Sequence, residues 1–123
     1  MKKSLTIVLI LFCLLSCSQQ ENNKSQAKQA PDFYVILQSG KYGYMDKNGT
    51  VVISAQFDGA GFFSEDYAPV NIGGKKNKYN RIDGGKWGFI DKTGKYIINP
   101  QYDDVHRFND GIAAVSLGGK WGF

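Results

Sequence analysis

The sequence predicts an all-β protein made of tandem repeats of three-stranded antiparallel meanders that form an open array. The chain of 123 residues contains 15 glycines and 14% aromatic residues, a composition typical of turn-rich β architecture. Residues 40–70 align without a gap on residues 85–115, and a further copy opens at 119–123. No segment after residue 17 shows a helical period of apolar residues.

The first 16 residues are predicted to be a secretory signal rather than part of the fold. Lys2 and Lys3 precede an apolar run from Leu5 to Leu15. This run gives about 16 Å of helix, which is too short for a hydrocarbon core of about 30 Å. A charged start followed by a short apolar run is typical of exported proteins.

The end of this run, Leu14-Leu15-Ser16-Cys17, resembles the lipobox of bacterial lipoproteins. The resemblance implies cleavage after Ser16 and a diacylglyceryl thioether on Cys17, so that the membrane is a partner through a lipid anchor. It also implies a lipid-anchored protein of the bacterial cell envelope. Ser18, where an Asp would resemble an inner-membrane retention signal, favours the outer membrane. The alternative is ordinary secretion with Cys17 as an incidental thiol.

Residues 17–31 are predicted to be the lipidated cysteine followed by a flexible tether. After Cys17 they contain no aromatic residue and no Leu, Ile or Val, so they bury too little to offset ordering entropy. The net charge of the chain is +4, and loss of Lys2 and Lys3 lowers it by two. This balance gives no reason to expect nucleic-acid binding.

The repeat domain is assigned to residues 32–123, and each of its elements has a local signal. A strand is expected at 86–91, on which the start of repeat 1 aligns, with Trp87 and Phe89 sharing one face. The glycine between them would let a neighbouring strand approach closely. Asp-Lys-Asn-Gly at 46–49 and Asp-Lys-Thr-Gly at 91–94 predict hairpin turns with a positive φ at the glycine. Return strands follow at 50–57 and 95–102, and third strands at 67–71 and 112–117.

These residues resemble the bacterial WG repeat. Residues 85–95 read Gly-Lys-Trp-Gly-Phe-Ile-Asp-Lys-Thr-Gly-Lys, and the later segments 102–105 and 108–115 follow in the order typical of the family. The resemblance implies an all-β repeat protein and no agreed activity, ligand or cofactor. The units are repeat 1 (40–84), repeat 2 (85–118) and the start of a third (119–123). The structural positions of the motif are Tyr42, Gly43, Trp87, Gly88, Trp121 and Gly122.

The segment 119–123 has two explanations. It either closes the second unit as its last strand or is the cut start of a third unit, and the missing turn favours truncation. In both cases we expect an edge strand antiparallel to 112–117 that exposes apolar surface and favours association.

Three further groups of residues have a functional and a structural interpretation. The aromatic set could form a ligand platform, but period-2 spacing is more typical of core (Tyr42, Tyr44, Trp87, Phe89 and Trp121). Asp46 and Asp91 could bind calcium, but a calcium loop needs a Glu at its twelfth position and Phe57 stands there. Asp103, Asp104 and His106 could be an acid–base cluster, but Asp103 recurs as Asp58 while His106 does not recur. We therefore expect no catalytic residue, no metal and no cofactor.

Repeat 1 is longer than repeat 2 because of additional residues between Val70 and Gly85. This segment contains the predicted ligand-binding residues Lys75, Lys76, Lys78, Tyr79 and Arg81. Its basic residues could contact anionic headgroups, surface glycan or an acidic partner. The alternative is a solvated long hairpin.

The sequence thus predicts a membrane-anchored envelope module that binds or scaffolds an envelope protein or glycan and is not an enzyme. The alternative is a remnant or fragment of a longer envelope enzyme or repeat array acting on cell-envelope glycan.

Overall fold

The computed structural model describes residues 31–123, and strands are the regular secondary structure of this range. The predicted signal peptide, Cys17 and the tether up to residue 30 lie outside the described residues. In chain order the strands are β1 (Phe33–Gln38), β2 (Lys41–Asp46), β3 (Val51–Phe57), β4 (Gly59–Ala60), β5 (Ala68–Ile72), β6 (Lys75–Lys76), β7 (Ile82–Asp83), β8 (Lys86–Ile90), β9 (Tyr96–Tyr102), β10 (Asp104–Val105), β11 (Val115–Leu117) and β12 (Lys120–Gly122).

These strands form small antiparallel sheets, which confirms the predicted all-β class. The sheets have the orders β1-β2-β3, β4-β5-β8-β9 and β10-β11-β12, with β6-β7 as a separate hairpin. Strand β1 was not expected from the sequence, although its run Phe33–Gln38 is apolar over five residues and half-buried over four.

The sheets do not coincide with the sequence units. Strand β5 of repeat 1 pairs with β8 of repeat 2, and β1 pairs with β2 in the same way. Tight two-residue turns close the β1-β2 and β11-β12 hairpins, since Ser39-Gly40 and Gly118-Gly119 all have positive φ. Strands β5 and β8 pair in the same way but are joined by the longer segment 73–85. The third strand of each unit therefore pairs with the first strand of the next unit.

The predicted Asp-Lys-x-Gly turns are confirmed. Asp46 Oδ1 accepts the N–H groups of Asn48 and Thr50 at 2.9 and 3.0 Å. Asp91 Oδ1 does the same for residues 93 and 95. Gly49 and Gly94 have φ of 82° and 85°, a region that disfavours side chains with a Cβ.

Gly43 and Gly88, the glycines of the motif, permit close backbone approach as expected. A Cβ on Gly88 would lie 2.4 Å from the carbonyl oxygen of Ile98 and 2.7 Å from the nitrogen of Pro100. The registers on either side, Trp87 with Tyr102 and Phe89 with Ile98, show that β9 bulges over this glycine. Gly43 lies under β3 in the same manner.

The main core lies between the first two large sheets. Its buried members are Tyr44, Ile53, Phe57, Ala68, Val70 and Ile90. The Tyr44 hydroxyl donates to the carbonyl of Gly61 at 2.8 Å, and burial raises the pKa of this phenol. Strand β8 is buried on both faces, because Ile90 belongs to this core while Phe89 packs against Phe108 with ring centroids 4.9 Å apart.

The predicted strand at residues 119–123 is confirmed. Strand β12 pairs antiparallel with β11, with Trp121 opposite Ser116, and lies at the edge of its sheet. The side chains of Trp121 and Phe123 are 53% and 94% exposed.

Candidate functional site

The candidate site is the segment 73–85, which we call the basic hairpin. It contains strands β6 and β7 and joins β5 to β8. At the equivalent place repeat 2 has only the turn Gly118-Gly119 between β11 and β12. The basic hairpin is therefore an insertion into repeat 1 and not part of the strand pattern that the two repeats share.

Asn71 fixes both ends of the basic hairpin. Its side chain is fully buried, and its Nδ2 donates to the carbonyl oxygen of Gly84 at 3.1 Å. Its Oδ1 accepts the N–H of Gly74 at 2.9 Å. A buried amide that bonds one backbone group at each end closes the base of the hairpin. Asn71 was not among the residues predicted from the sequence, although a polar residue within an apolar strand, at the position of buried Ser116 in repeat 2, was the available signal.

The tip is ordered by Asn77. Its Oδ1 accepts the N–H groups of Tyr79 and Arg81 at 2.9 and 3.0 Å. Its backbone N–H donates to the carbonyl of Arg81 at 2.8 Å. Such side-chain hydrogen bonds to the backbone fix the conformation of a turn even where no hydrophobic core packs against it. The tip therefore presents its side chains from a defined backbone.

The hairpin places the predicted binding residues together on the surface. Lys75, Lys76, Lys78 and Arg81 are exposed, and Tyr79 is 71% exposed. Within residues 31–123, ion pairs form at Lys41, Lys86 and Lys92 but at none of the four hairpin cations. The Lys78 ammonium lies 4.9 Å from the ring centroid of Tyr79, so the tip combines charge with an aromatic face.

One acid accompanies this charge. Asp83 lies opposite Lys75 in the hairpin register, and its carboxylate accepts a bond from the Asn77 amide at 2.9 Å. It was not considered as part of the segment at the sequence level. Its effect is to orient Asn77 and to reduce the positive charge at the base, leaving Lys78 and Arg81 at the tip.

The recurring aspartates have structural partners, as their repetition indicated. Asp58 accepts from the Lys41 ammonium and from the N–H of Gly73 at 2.7 Å. Asp103 makes the equivalent bonds to Lys86 and to Gly118 N–H. In both cases the lysine hydrogen bond, followed by the backbone N–H, lowers the pKa of the carboxyl.

His106 is not brought into an acid–base arrangement with Asp103. Its ring packs edge-on against Trp121 with centroids 5.0 Å apart. The part of the chain that the structure describes contains no cluster of three or more His, Cys, Asp or Glu side chains placed to hold a metal ion. No helix within residues 31–123 has the length and apolarity to cross a bilayer.

The aromatic set divides between core and surface. Tyr44 and Phe89 are fully buried, Tyr42 and Trp87 are half-buried, and Trp121 is exposed. The difference follows from position, because β2 and β8 have a strand on each side whereas β12 has one neighbouring strand within residues 31–123.

A cavity of about 320 Å³ lies beside the last sheet. Its lining is apolar and includes Phe89, Ile98, Tyr102, Phe108, Val115 and Phe123. In repeat 1 the residues equivalent to Ile98, Tyr102 and Val115 are Ile53, Phe57 and Val70, which are buried in the core. The cavity is thus the incompletely filled counterpart of that core.

Stacked antiparallel sheets with a recurring Trp/Tyr-Gly strand define an all-β repeat protein. Residues 42–75 and 87–121 match the family model of the WG containing repeat, and together they cover more than half of the chain. The chain therefore belongs to the WG repeat family. No curated protein and no solved structure matches it.

Proposed function

We propose that this WG-repeat protein is a non-enzymatic binding module, held at the bacterial envelope by a lipid on Cys17, whose basic hairpin contacts an anionic membrane surface. The observation that carries the proposal is the basic hairpin itself: four exposed cations on a backbone preset by Asn71 and Asn77. Near an anionic surface each basic residue contributes about 1 kcal/mol, and an ordered tip loses little further entropy on contact.

The lipid anchor rests on the lipobox resemblance. A diacylglyceryl group on Cys17 carries two acyl chains, which together anchor a protein stably. The basic hairpin adds an electrostatic contact that holds the domain against the anionic surface. Outer-membrane residence is part of the proposal, on the ground that Ser18 and not Asp follows Cys17.

Detergent phase partitioning of the full chain tests the anchor. The wild type is expected in the detergent phase and Cys17→Ala in the aqueous phase or left unprocessed. Equal aqueous partitioning of both would contradict the lipid anchor.

Liposome co-sedimentation tests the basic hairpin. In the chain from residue 17 onward carrying Cys17→Ala, which has neither signal peptide nor lipid, replacement of Lys75, Lys76, Lys78 and Arg81 by Ser should abolish salt-sensitive binding to vesicles containing phosphatidylserine. The matched control replaces four exposed cations elsewhere by Ser, so that the net charge is the same (Lys47, Lys95, Arg107 and Lys120).

The control is expected to retain most of the binding. If both variants lose binding equally, net charge and not the hairpin is responsible. If the hairpin variant still binds, the contact lies elsewhere.

A further inference from the structure

The tip of the basic hairpin has a defined apex. The backbone N–H of Asn77 donates to the carbonyl of Arg81 at 2.8 Å, and the N–H of Asn80 donates to the carbonyl of Asn77 at 3.0 Å. Residues 78–80 lie beyond the first of these bonds, and Tyr79 is the middle one. Tyr79 is therefore the residue farthest along the chain from both β6 and β7.

The two large apolar side chains of the basic hairpin, Tyr79 and Ile82, have opposite surroundings. A Cβ built on Gly59 would lie 2.9 Å from Cγ1 of Ile82, so Ile82 packs against β4. The Tyr79 side chain is 71% exposed. The hairpin thus uses one apolar side chain to attach itself to the domain and presents the other to the solvent.

The cations of the basic hairpin are divided in the same way. The ammonium of Lys76 lies 5.9 Å from the ring centroid of Tyr42, so its charge is turned toward the domain. The ammonium of Lys78 instead lies 4.9 Å from the ring centroid of Tyr79, and Arg81 ends the turn on the other side. The apex is therefore an aromatic ring with a cation before it and a cation after it.

This combination fits the boundary between the headgroups and the acyl chains of a bilayer. A tyrosine ring at this depth lies against apolar chains while its hydroxyl stays among the headgroups. Lysine and arginine bury their methylene stems beside such a ring and keep their charges at the lipid phosphates. A soluble polyanion offers partners for the charges but no apolar layer for the ring, so the exposed ring of Tyr79 favours a bilayer.

We propose that Tyr79 enters the interface of an anionic bilayer, with Lys78 and Arg81 at lipid phosphates on either side of it. The ring lies about 5–10 Å into the boundary between headgroups and acyl chains. This inference rests on the proposed function, and it names the residue by which the basic hairpin distinguishes a lipid surface from other polyanions.

Vesicle binding at several salt concentrations separates the ring from the charges. In the chain from residue 17 onward carrying Cys17→Ala, Tyr79→Ser should lower the partition coefficient for vesicles containing phosphatidylserine by about tenfold at every salt concentration, or about 1.4 kcal/mol. Lys78→Ser should instead make the salt dependence less steep.

The matched control is Phe62→Ser, which removes a 67% exposed aromatic side chain from another loop and should leave vesicle binding unchanged. Both aromatic side chains are exposed, so the far-ultraviolet circular dichroism of both variants should equal that of the parent chain. Binding to inorganic polyphosphate, a polyanion without an apolar layer, should be the same for the parent chain and Tyr79→Ser.

Fluorescence quenching measures the depth of the apex. Tyr79→Trp should be quenched by lipids brominated near the start of the acyl chains, beyond the quenching that Trp87 and Trp121 give in the parent chain. Phe62→Trp should show no such added quenching.

Three results would overturn this inference and leave the proposed function standing. The first is vesicle binding that the four-cation variant loses but Tyr79→Ser retains in full, and the second is the absence of added quenching in Tyr79→Trp. The third is a loss of polyphosphate binding in Tyr79→Ser as large as its loss of vesicle binding. A parent chain that binds no vesicles would overturn both proposals.

Discussion

At the scale of single residues, the motif glycines and the turn glycines are required for different physical reasons. Gly88 lies directly under the bulged backbone of β9, so any side chain there collides with main-chain atoms. Gly94 has open surroundings, with Ile53 side-chain atoms at 3.4 Å or more from a Cβ, but its φ is 85°. Glycine is required at position 88 because there is no space for a side chain, and at position 94 because the backbone has a positive φ.

We expect Gly94→Val to lower the free energy of unfolding by about 1–2 kcal/mol, because valine is forced into the left-handed region. Gly88→Val should cost more, since the strand pair must separate. Urea midpoints of both variants provide the measurement, with Gly122→Val as a control that has neither constraint. Equal midpoints for Gly94→Val and the wild type would contradict the assigned turn.

The recurring aspartates predict a particular acid sensitivity. The Lys41 hydrogen bond and the Gly73 N–H lower the pKa of Asp58 below its ordinary 3.8. A carboxyl with a lowered folded-state pKa stabilises the fold above the unfolded value and loses this contribution as the pH falls through the folded value. The stability from Asp58 is therefore present at neutral pH and is lost below pH 3.8.

Asp58→Asn should lower the free energy of unfolding at pH 7 by about 1 kcal/mol, a modest value because Lys41 is exposed to solvent. The same variant should show a flatter decline of thermal midpoint on acidification. Asp104→Asn is the control, because within the described residues the Asp104 carboxylate accepts a hydrogen bond only from the adjacent Val105 N–H. A parallel acid decline in wild type and Asp58→Asn would refute the assignment.

At the scale of elements, the strands and turns of each unit were predictable but their pairing was not. The turn at residues 91–94 and the strand of Trp87 have local signals of the kind that sequence carries directly. Which strands pair across a repeat boundary does not follow from these local signals. The turn Ser39-Gly40, whose positive φ values are visible only in the structure, sets the pairing of β1 with β2, whereas β5 pairs with β8 across the basic hairpin.

The residue types of the candidate site were predictable from the sequence, but the hydrogen bonds that organise them were not. The basic residues of 75–81 were apparent from the sequence, whereas the bonds that organise them run from Asn71 to Gly84 and from Asn77 to Arg81. Such bonds join positions up to 13 residues apart. These hydrogen bonds form only once the hairpin is folded, so they cannot be predicted from the residue types alone.

Asn71→Ala should loosen the basic hairpin and lower stability by about 2 kcal/mol, since it removes both side-chain hydrogen bonds that close the base of the segment. We expect faster tryptic cleavage after Lys75, Lys76, Lys78 and Arg81 than in the wild type. Asn99→Ala, at an exposed position of β9, should have little effect on either measurement. Unchanged cleavage in Asn71→Ala would show that the hairpin is ordered by its tip alone.

At the scale of the whole molecule, packing between sheets differs from one boundary to the next. The positions held by Ile53, Phe57 and Val70 are buried, whereas Ile98, Tyr102 and Val115 are only half-buried around the cavity. The later boundary is covered by β11 and β12, which are short. Stability should accordingly be concentrated between the first two large sheets.

Deletion of residues 119–123 should therefore lower the free energy of unfolding by about 1 kcal/mol, or about 4–8 °C in thermal midpoint for a domain of this size. The loss is limited because Trp121 and Phe123 are mostly exposed. Val70→Ala, in the main core, is the comparison and should cost more. An unchanged midpoint after the deletion would contradict a structural role for β12.

Burial of β8 on both faces has a consequence for how the molecule opens. Ile90 and Phe89 are adjacent in the chain but belong to packing on opposite sides of one strand, so neither side can be released without disturbing the other. Nearest-neighbour coupling of this kind makes the repeats one cooperative unit. Amide protons of β2, β5 and β8 should then exchange with solvent through a common opening event, at a similar rate in each.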